Sequence, residues 1–239
     1  MNSKNYNIVD GFNTIAPAYD MANDAMTLGL HRLWRRALCK KALKFSPKNS
    51  QILDVATGTG DVIIGLFSDR SDIHVTGIDA SEGMLNIARE KFKSKANLFQ
   101  KNIELLLANG LSLPFLDNSF HTVTVCWGIR NIRPYSAALR EIKRVLKPGG
   151  SVIILESGRP EFKIVRSLYN SYSKLLPFIG EKISKYKPAY QFYKASVDAF
   201  PSGKQFVAEL YDAGFFNAKY ETLGASIVYL YSAQKPAVK

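Results

Sequence analysis

The stretch that most constrains the fold is a short apolar run that ends in a carboxylate and leads into a glycine turn. It extends from Ile52 to Asp61 and carries Asp54 and the triplet Gly58-Thr59-Gly60. A backbone without Cβ atoms can turn sharply from a strand into a helix and lets a ligand lie against it. The third glycine of a full dinucleotide fingerprint is missing, because Asp61-Val62-Ile63 follows the turn. The stretch therefore predicts a strand, a ligand-binding turn and a helix.

A second carboxylate ends the next apolar run, Ile73 to Ile78, at Asp79. An acidic residue roughly twenty residues past such a turn is placed to accept hydrogen bonds from both ribose hydroxyls of an adenosine. Alternatively, Asp79 or Ser81 caps the helix that follows. The two roles are compatible.

Strand and helix patterns alternate along the rest of the chain. Predicted strands occupy residues 103–108, 122–127, 152–156, 217–223 and 226–232, and Lys147-Pro148-Gly149-Gly150 ends a predicted helix that starts at Pro134. This alternation predicts an α/β fold with a mostly parallel sheet and helices on both faces. Ligands of such sheets bind outside the carboxyl ends of the strands, where Asp54, Asp79, Asn109 and Cys126 fall.

Length and composition exclude several classes of protein. A chain of 239 residues with 46% hydrophobic residues fits one domain with appendages. Cys39 and Cys126 offer neither a disulfide framework nor metal-ligand spacing, and residues 1–6 lack an apolar signal core. No run reaches the roughly eighteen apolar residues of a membrane-spanning helix. We expect a cytoplasmic protein without a bound metal.

The net charge of +12 is concentrated in two flanks. Residues 1–50 hold eight Lys/Arg against three Asp/Glu, and residues 157–204 hold nine against three. Such flanks can be a solvated surface, a nucleic-acid face or a patch for anionic lipid, of which the first is commonest.

The flanks also suggest the domain organisation. Residues 1–48 are predicted to form an N-terminal helical cap, with an amphipathic helix at Leu30–Leu38, and residues 50–156 the ligand-binding core. Residues 157–204, rich in Lys, Tyr and Phe, predict a helical insertion after strand five, and residues 205–239 a helix and an edge hairpin. The aromatic residues of the insertion either form a core or make a lid over an apolar ligand.

Several motifs resemble class I S-adenosylmethionine-dependent methyltransferases, namely Asp54–Asp61, Asp79, Leu113-Pro114-Phe115, Asp117–Phe120 and Leu146–Gly150. Three further segments are similar to the ubiquinone/menaquinone biosynthesis C-methyltransferase family: Tyr19–Asp24, Gly29–Trp34 and Trp127–Asn131. The resemblance covers nearly the whole chain, although residues 157–204 match less clearly. It implies a Rossmann-like fold with a seven-stranded sheet and S-adenosylmethionine as the methyl donor.

The resemblance also implies a set of donor-binding residues: Gly58, Thr59, Gly60, Asp79, Asn109, Gly110 and Cys126. This chain has Ala56-Thr57 where the family usually has glycine before the turn, and Cys126 and Gly110 where it usually has a nearby serine and an alanine. These departures remove no charge and no hydrogen-bonding anchor.

The resemblance implies methylation of a quinol ring carbon, and the chemistry of that reaction selects further candidate residues. A quinol carbon attacks a sulfonium methyl only after a ring hydroxyl ionises, and it must then lose its proton. Arg130 could favour the phenolate, or it could only tie its loop to a carboxylate. Water, Asp20, Tyr19 or His31 could receive the proton. Tyr19 and Asp20 could instead clamp the N-terminal segment, and His31 could be a packing residue.

We therefore expect a polyprenyl quinol substrate, most simply demethylmenaquinol and alternatively a methoxy-benzoquinol of ubiquinone biosynthesis. We also expect peripheral contact with the anionic inner face of a membrane, a homodimer and no nucleic-acid partner. Methylation of RNA or another small molecule, and donor binding without catalysis, are the competing hypotheses. An RNA substrate is disfavoured because the chain lacks an Asn/Asp-Pro-Pro-aromatic motif.

Overall fold

The computed structural model describes residues 7–95, 102–175, 178 and 182–237. Within these residues, seven strands form one sheet. They are β1 (Gln51–Val55), β2 (His74–Asp79), β3 (Ile103–Leu107), β4 (Phe120–Cys126), β5 (Leu146–Ser157), β6 (Phe216–Leu223) and β7 (Val228–Gln234). The order is β3-β2-β1-β4-β5-β7-β6, and β7 runs in the direction opposite to that of the other six strands. The predicted α/β fold with a mostly parallel seven-stranded sheet is confirmed.

Helices precede the sheet, connect its strands and follow β5. The α-helices are α1 (Ile8–Ile15), α2 (Tyr19–Thr27), α3 (Leu30–Phe45), α4 (Asp61–Asp69), α5 (Glu82–Lys93), α6 (Tyr135–Val145), α7 (Lys163–Ser173), α8 (Lys187–Ala199) and α9 (Lys204–Asp212). Among the residues that the structure describes, two short 3₁₀ turns occupy Ala16–Ala18 and Ile129–Asn131. No helix of the described residues is long and apolar enough to span a bilayer.

The sheet is buried on both faces because successive side chains of a strand point to opposite sides. On β5, Val152 and Ile154 pack in a cluster that includes residues of α6 and α9, whereas Ile153 and Leu155 pack in another with residues of α3 and α4. All four side chains are buried. The continuous apolar run is therefore that of a central strand, and it fixes the carboxyl end of β5 beside that of β4.

Two predicted boundaries are wrong. The segment from Lys147 to Gly150 belongs to β5, which begins at Leu146, instead of forming a stop between helix and strand. Lys235 holds it there, since its N–H donates to the Gly150 carbonyl and its own carbonyl accepts from the Gly149 N–H. The last strand begins at Val228, because Ala225 and Ser226 have φ of 56° and 70° and form the preceding turn.

Helices α7 and α8 occupy the region predicted as a helical insertion. Residues 1–6 of the predicted cap, residues 176, 177 and 179–181 of the predicted insertion, and the last two residues of the predicted C-terminal segment lie outside the described residues. The boundaries proposed for these segments stay predictions.

Candidate active site

Two cavities adjoin at the carboxyl ends of the central strands. The first, of 280 Å³, is bordered by the glycine turn and by Asp79, and we call it the glycine-turn cavity. The second, of 260 Å³, lies among helices α1, α2, α3, α7 and α8, and we call it the aromatic cavity. Phe12, Tyr19, Trp127 and Asn131 line both. A reaction between two ligands could therefore take place where these four residues meet.

The glycine turn is shaped by backbone hydrogen bonds and by close packing on one side. The Thr57 N–H donates to the Ile78 carbonyl (2.9 Å) and the Gly60 N–H to the Thr57 carbonyl (3.0 Å). Gly58 and Gly60 have φ of 57° and 81°. A Cβ on Gly60 would lie 2.6 Å from the ring of Phe92, whereas one on Gly58 would have nothing within 4 Å. The turn is thus packed against α5 at Gly60 and open to the cavity at Gly58.

Asp54 supports the turn from below. Its carboxylate is buried and accepts hydrogen bonds from the hydroxyls of Thr57 and Thr124, each at 2.6 Å. Burial raises the pKa of Asp54 to about 6, although the two hydroxyl donors oppose the shift. Asp54 lies outside the linings of both cavities, so we assign it a supporting role.

Asp79 presents its carboxylate to the glycine-turn cavity. One oxygen accepts from the Gly58 N–H at 2.8 Å and the other from the Ser81 N–H at 2.9 Å. Each oxygen keeps acceptor capacity for a ligand hydroxyl. Burial raises the pKa of Asp79, and the backbone donors lower it less than burial raises it. Ser81, rather than Asp79, caps α5 by accepting from the Met84 N–H.

The far wall of the glycine-turn cavity comes from the residues after β3 and β4. This wall is lined by Asn109, Gly110 and Cys126, three residues that the sequence predicts to bind the donor. Asn109 fixes its own turn by accepting from the Leu111 N–H at 2.9 Å. A Cβ on Gly110 would lie 2.8 Å from Ile132, so there is no room for a side chain between these two residues of the wall. Burial raises the pKa of the Cys126 thiol well above its ordinary value, which keeps it protonated and uncharged.

Thr59 and Asp20 form a polar cluster outside the linings of both cavities. The Thr59 hydroxyl donates to Asp20 (2.8 Å) and accepts from the Lys91 ammonium (2.9 Å). Lys91 also pairs with Asp20 at 2.5 Å and with Asp61 at 2.7 Å, and Arg35 pairs with Asp61 at 3.0 Å. Together with Gly60, Thr59 and Asp20 are the predicted site residues that the structure does not place on a cavity wall. Their contacts point to positioning of α2 against the glycine turn.

Arg130 lines the aromatic cavity and makes a buried ion pair with Glu156. Its Nη1 donates to Glu156 Oε1 at 2.6 Å and to the Trp127 carbonyl at 2.9 Å, and its backbone N–H donates to Glu156 Oε2 at 3.2 Å. Its guanidinium carbon lies 5.0 Å from the ring centroid of Tyr193. Burial lowers the pKa of Arg130, but Glu156 more than offsets this, so the guanidinium stays charged.

The other two candidate catalytic residues, Tyr19 and His31, also line the aromatic cavity. Burial raises the pKa of Tyr19 to about 12, so it is a neutral phenol at pH 7. Burial, with Arg35 nearby, lowers the pKa of the His31 imidazole below its ordinary value. His31 packs beside Trp127, with ring centroids 6.2 Å apart.

Sequence reasoning did not name Glu156, Trp127 or Phe12 as site residues. Glu156 carried a signal, because it is a lone carboxylate that follows the apolar run Val152–Leu155, and a buried charge needs a partner. Trp127 opens the family-like segment Trp127–Asn131, which was a signal, whereas Phe12 carried none, since aromatic residues in helices are usually core. No group of metal-ligating side chains occurs among the described residues.

The comparisons with known proteins agree with this geometry. The model of the ubiE/COQ5 methyltransferase family matches residues 1–235. A ubiquinone/menaquinone biosynthesis C-methyltransferase of Geotalea daltonii is 40% identical over 98% of this chain and 99% of its own. One of Rickettsia peacockii is 40% identical over 93% and 90%.

Solved structures share the fold. A methyltransferase dependent on S-adenosylmethionine from Aquifex aeolicus has a TM-score of 0.59 at 23% identity, covering 82% of this chain and 89% of its own. Phosphoethanolamine N-methyltransferase 2 of Haemonchus contortus, bound to S-adenosyl-L-methionine, has a TM-score of 0.59 at 18% identity, covering 83% and 52%.

The residues at the glycine-turn cavity fit S-adenosylmethionine as the methyl donor. Asp79 offers a carboxylate to its ribose, Gly58 leaves space beside the turn, and Gly110 lies close to Ile132 on the far wall. The chain belongs to the ubiE/COQ5 methyltransferase family and is an S-adenosylmethionine-dependent methyltransferase.

Proposed function

We propose that this enzyme methylates a ring carbon of a polyprenyl quinol, most simply converting demethylmenaquinol to menaquinol. A methoxy-benzoquinol of ubiquinone biosynthesis is the alternative ring. The proposal rests on the adjoining cavities, because a cavity that carries the Asp79 carboxylate beside the glycine turn meets one lined by aromatic side chains at Tyr19 and Trp127. The names of the 40% identical relatives support it.

The donor residues hold one ligand in place while the aromatic cavity holds the other. We infer that Gly58, Asp79, Asn109, Gly110 and Cys126 surround the donor, with Asp79 accepting from its ribose hydroxyls. Bound S-adenosylmethionine supplies an electrophilic methyl group. The ring carbon bonds to this methyl as the sulfur–methyl bond breaks, which leaves S-adenosylhomocysteine and a ring carbon that must lose its proton.

Arg130 is the residue that we propose to stabilise the phenolate. Its Nη1 is committed to Glu156 and to the Trp127 carbonyl, whereas its Nη2 makes no hydrogen bond within the described part of the chain. A charged, buried donor of this kind would favour the ionised ring hydroxyl by a charge-assisted hydrogen bond. Nη1 of Arg130 therefore pairs with Glu156, while Nη2 is left to donate to the hydroxyl of the substrate ring.

His31 is the candidate whose geometry best suits proton acceptance. The Thr27 hydroxyl has one hydrogen, which it donates to the Asn23 carbonyl at 2.7 Å. His31 Nδ1 lies 2.7 Å from the same hydroxyl, and in the tautomer in which Nδ1 donates to it the lone pair is on Nε2, which lies 3.8 Å from Asp24 Oδ1. Tyr19 and Arg130 hold their protons at pH 7 because their pKa values are raised. Asp20 is engaged by Lys91 and Thr59.

The experiment follows transfer of labelled methyl from S-adenosylmethionine to a short-tailed demethylmenaquinol. The matching methoxy-benzoquinol and bulk RNA are parallel acceptors, and Asp79→Ala is the control. We expect label on a quinol and its loss in the control. Label on RNA alone, or none despite donor binding, would overturn the proposal.

The tail of such a substrate resides in a bilayer, so we also propose peripheral contact with an anionic membrane surface. Stronger binding to anionic than to neutral vesicles tests this contact. A homodimer stays a prediction, to be tested by sedimentation equilibrium.

A further inference from the structure

Exposed apolar side chains surround the mouth of the aromatic cavity. Leu28 is 86% exposed, Leu30 is 47% exposed and Tyr172 is 40% exposed. The same three residues line the cavity, so they lie where it opens to solvent. We call them the apolar rim. Large apolar groups left in water beside a cavity entrance are typical of a surface that a partner covers.

Helix α7 extends the apolar rim along one helical face. Ile164, Leu168 and Tyr172 follow one another at intervals of four residues, and Leu175, which is 55% exposed, follows two residues after the helix ends. Ile164 is 78% exposed and Leu168 is 68% exposed. The Tyr172 hydroxyl donates to the Met26 carbonyl at the end of α2, which ties this helical face to the rim. We call Ile164, Leu168, Tyr172 and Leu175 the α7 strip.

Positive charge flanks both features. Neither α3 nor α7 contains an Asp or Glu. On α3, the exposed Arg36 lies three residues after the exposed Leu33, in the half of the helix that begins at the rim residue Leu30. Lys163 begins α7 and Lys174 directly follows it, beside the strip. Within the part of the chain that the structure describes, none of these three basic side chains forms an ion pair, unlike Arg32, which pairs with Asp24.

We propose that the apolar rim and the α7 strip form a docking surface for an anionic phospholipid bilayer. The apolar side chains enter the boundary between headgroups and acyl chains, while the flanking basic side chains contact acidic headgroups. The cavity mouth then opens into the lipid, so a ligand with an apolar tail enters without crossing water. This last clause rests on the proposed quinol substrate.

The composition of the surface favours lipid over nucleic acid. Single-stranded nucleic acid is bound by basic side chains together with aromatic rings on which bases stack. The most exposed side chains here are Leu28, Ile164 and Leu168, which are aliphatic and cannot stack, while one aromatic side chain beside them, Phe162, is 64% exposed. Aliphatic residues on one helical face beside lysines are instead the pattern of a helix that lies in a membrane interface.

The test measures flotation of the full-length protein with vesicles of phosphatidylcholine alone and of phosphatidylcholine with phosphatidylglycerol. Wild-type protein should bind the anionic vesicles more tightly. The double variant Ile164→Ser/Leu168→Ser should weaken that binding by at least about tenfold, because it removes two of the inserting side chains. Leu116→Ser is the matched control, since Leu116 is 84% exposed and lies outside the rim and the strip.

The charges have their own pair of variants. Lys163→Gln/Lys174→Gln should weaken binding to anionic vesicles about fivefold per charge. Lys48→Gln should have no effect, because Lys48 is exposed before β1, at the opposite edge of the sheet. Equal binding of wild-type protein to both vesicle types would overturn the proposal, as would an Ile164→Ser/Leu168→Ser variant that binds like Leu116→Ser. RNA binding lost in Lys163→Gln/Lys174→Gln, without vesicle binding, would also overturn it.

Activity separates this proposal from the proposed function. Ile164→Ser/Leu168→Ser should methylate a short-tailed, water-soluble quinol at the wild-type rate and a long-tailed quinol in anionic vesicles at least about fivefold more slowly. Failure of wild-type protein to methylate any quinol would refute the proposed function, while the flotation result would still decide the docking surface. Equal loss of rate on both substrates would mean that the strip supports the cavity and would overturn the docking role.

Discussion

Replacing Glu156 by glutamine should destabilise the fold strongly, although it leaves the shape of the side chain almost unchanged. The Glu156 side chain is fully buried, and its partner Arg130 has a side-chain exposure of 7%. Oε1 accepts from Arg130 Nη1 at 2.6 Å and from the Ser157 N–H at 2.8 Å, and Oε2 accepts from the Arg130 N–H at 3.2 Å. Every one of these contacts requires an acceptor.

Glu156→Gln has two costs. Removing the carboxylate leaves a buried guanidinium without a counterion, and breaking such a pair typically costs about 3–5 kcal/mol. In either amide orientation, one donor of the glutamine would also face a backbone or guanidinium N–H, and a buried donor without a partner costs about 1–3 kcal/mol. The two costs overlap because they concern the same contacts. We therefore expect a loss of about 3–5 kcal/mol in the free energy of unfolding.

Urea unfolding followed by far-ultraviolet circular dichroism measures this loss. Glu90→Gln is the control, because Glu90 pairs with Lys93 while both side chains are about two-thirds exposed or more, and it should change stability by at most about 0.5 kcal/mol. Donor affinity of the folded variant should be unchanged, since Glu156 does not line the glycine-turn cavity. A loss below about 1 kcal/mol would refute the assignment of Glu156 as the obligatory counterion.

Three further changes test the site. Asp79→Asn should weaken donor binding by about 100-fold in calorimetry, because one carboxylate acceptor becomes a donor that opposes a backbone N–H; a change below fivefold would contradict the assignment. Burial raises the pKa of Asp54 from 3.8 to about 6, so the folded state holds a proton that the unfolded chain releases between these values. The stabilisation from that proton is complete below pH 3.8 and is lost as the pH rises through about 6. Over this range the free energy of unfolding should fall by about 2–3 kcal/mol more in the wild-type protein than in Asp54→Asn. Parallel curves of unfolding free energy against pH for the two proteins would contradict this. His31→Gln should lower kcat about 100-fold and abolish the acidic limb of the pH–rate profile with donor affinity unchanged, and a retained limb would point to another base.

The meeting of Gly58 and Asp79 at one cavity could be predicted because its determinants are local. The glycine turn and Asp79 belong to two strands joined by one helix, and the spacing between them is set by that unit. Asn109, Gly110 and Cys126 reach the same cavity because β3 pairs with β2 and β4 pairs with β1. Two parallel strands that are joined by one helix have their carboxyl ends at the same edge of the sheet.

The substrate half depends on contacts between distant segments, which no local pattern fixes. Arg130 meets Glu156 only because β4 and β5 are neighbours in the sheet, and it meets Tyr193 only because α8 packs over that edge. The wrong boundary of β5 has the same origin. Proline and glycine in Lys147–Gly150 signal a break, yet Lys235, directly after β7, supplies hydrogen bonds that keep the segment paired.

The contacts of the polar cluster favour a positioning role for Asp20 over proton acceptance. Lys91, near the end of α5, holds Asp20 on α2, while Asn13 on α1 accepts from the Ser81 hydroxyl (2.7 Å) and the Gly83 N–H (2.9 Å) at the start of α5. The N-terminal helices are thus fixed to both ends of the helix that follows Asp79. Tyr19, next to Asp20, lines both cavities, so these contacts fix Tyr19 where the two cavities adjoin. We therefore propose that Asp20 positions Tyr19 and that Tyr19 faces the ligands.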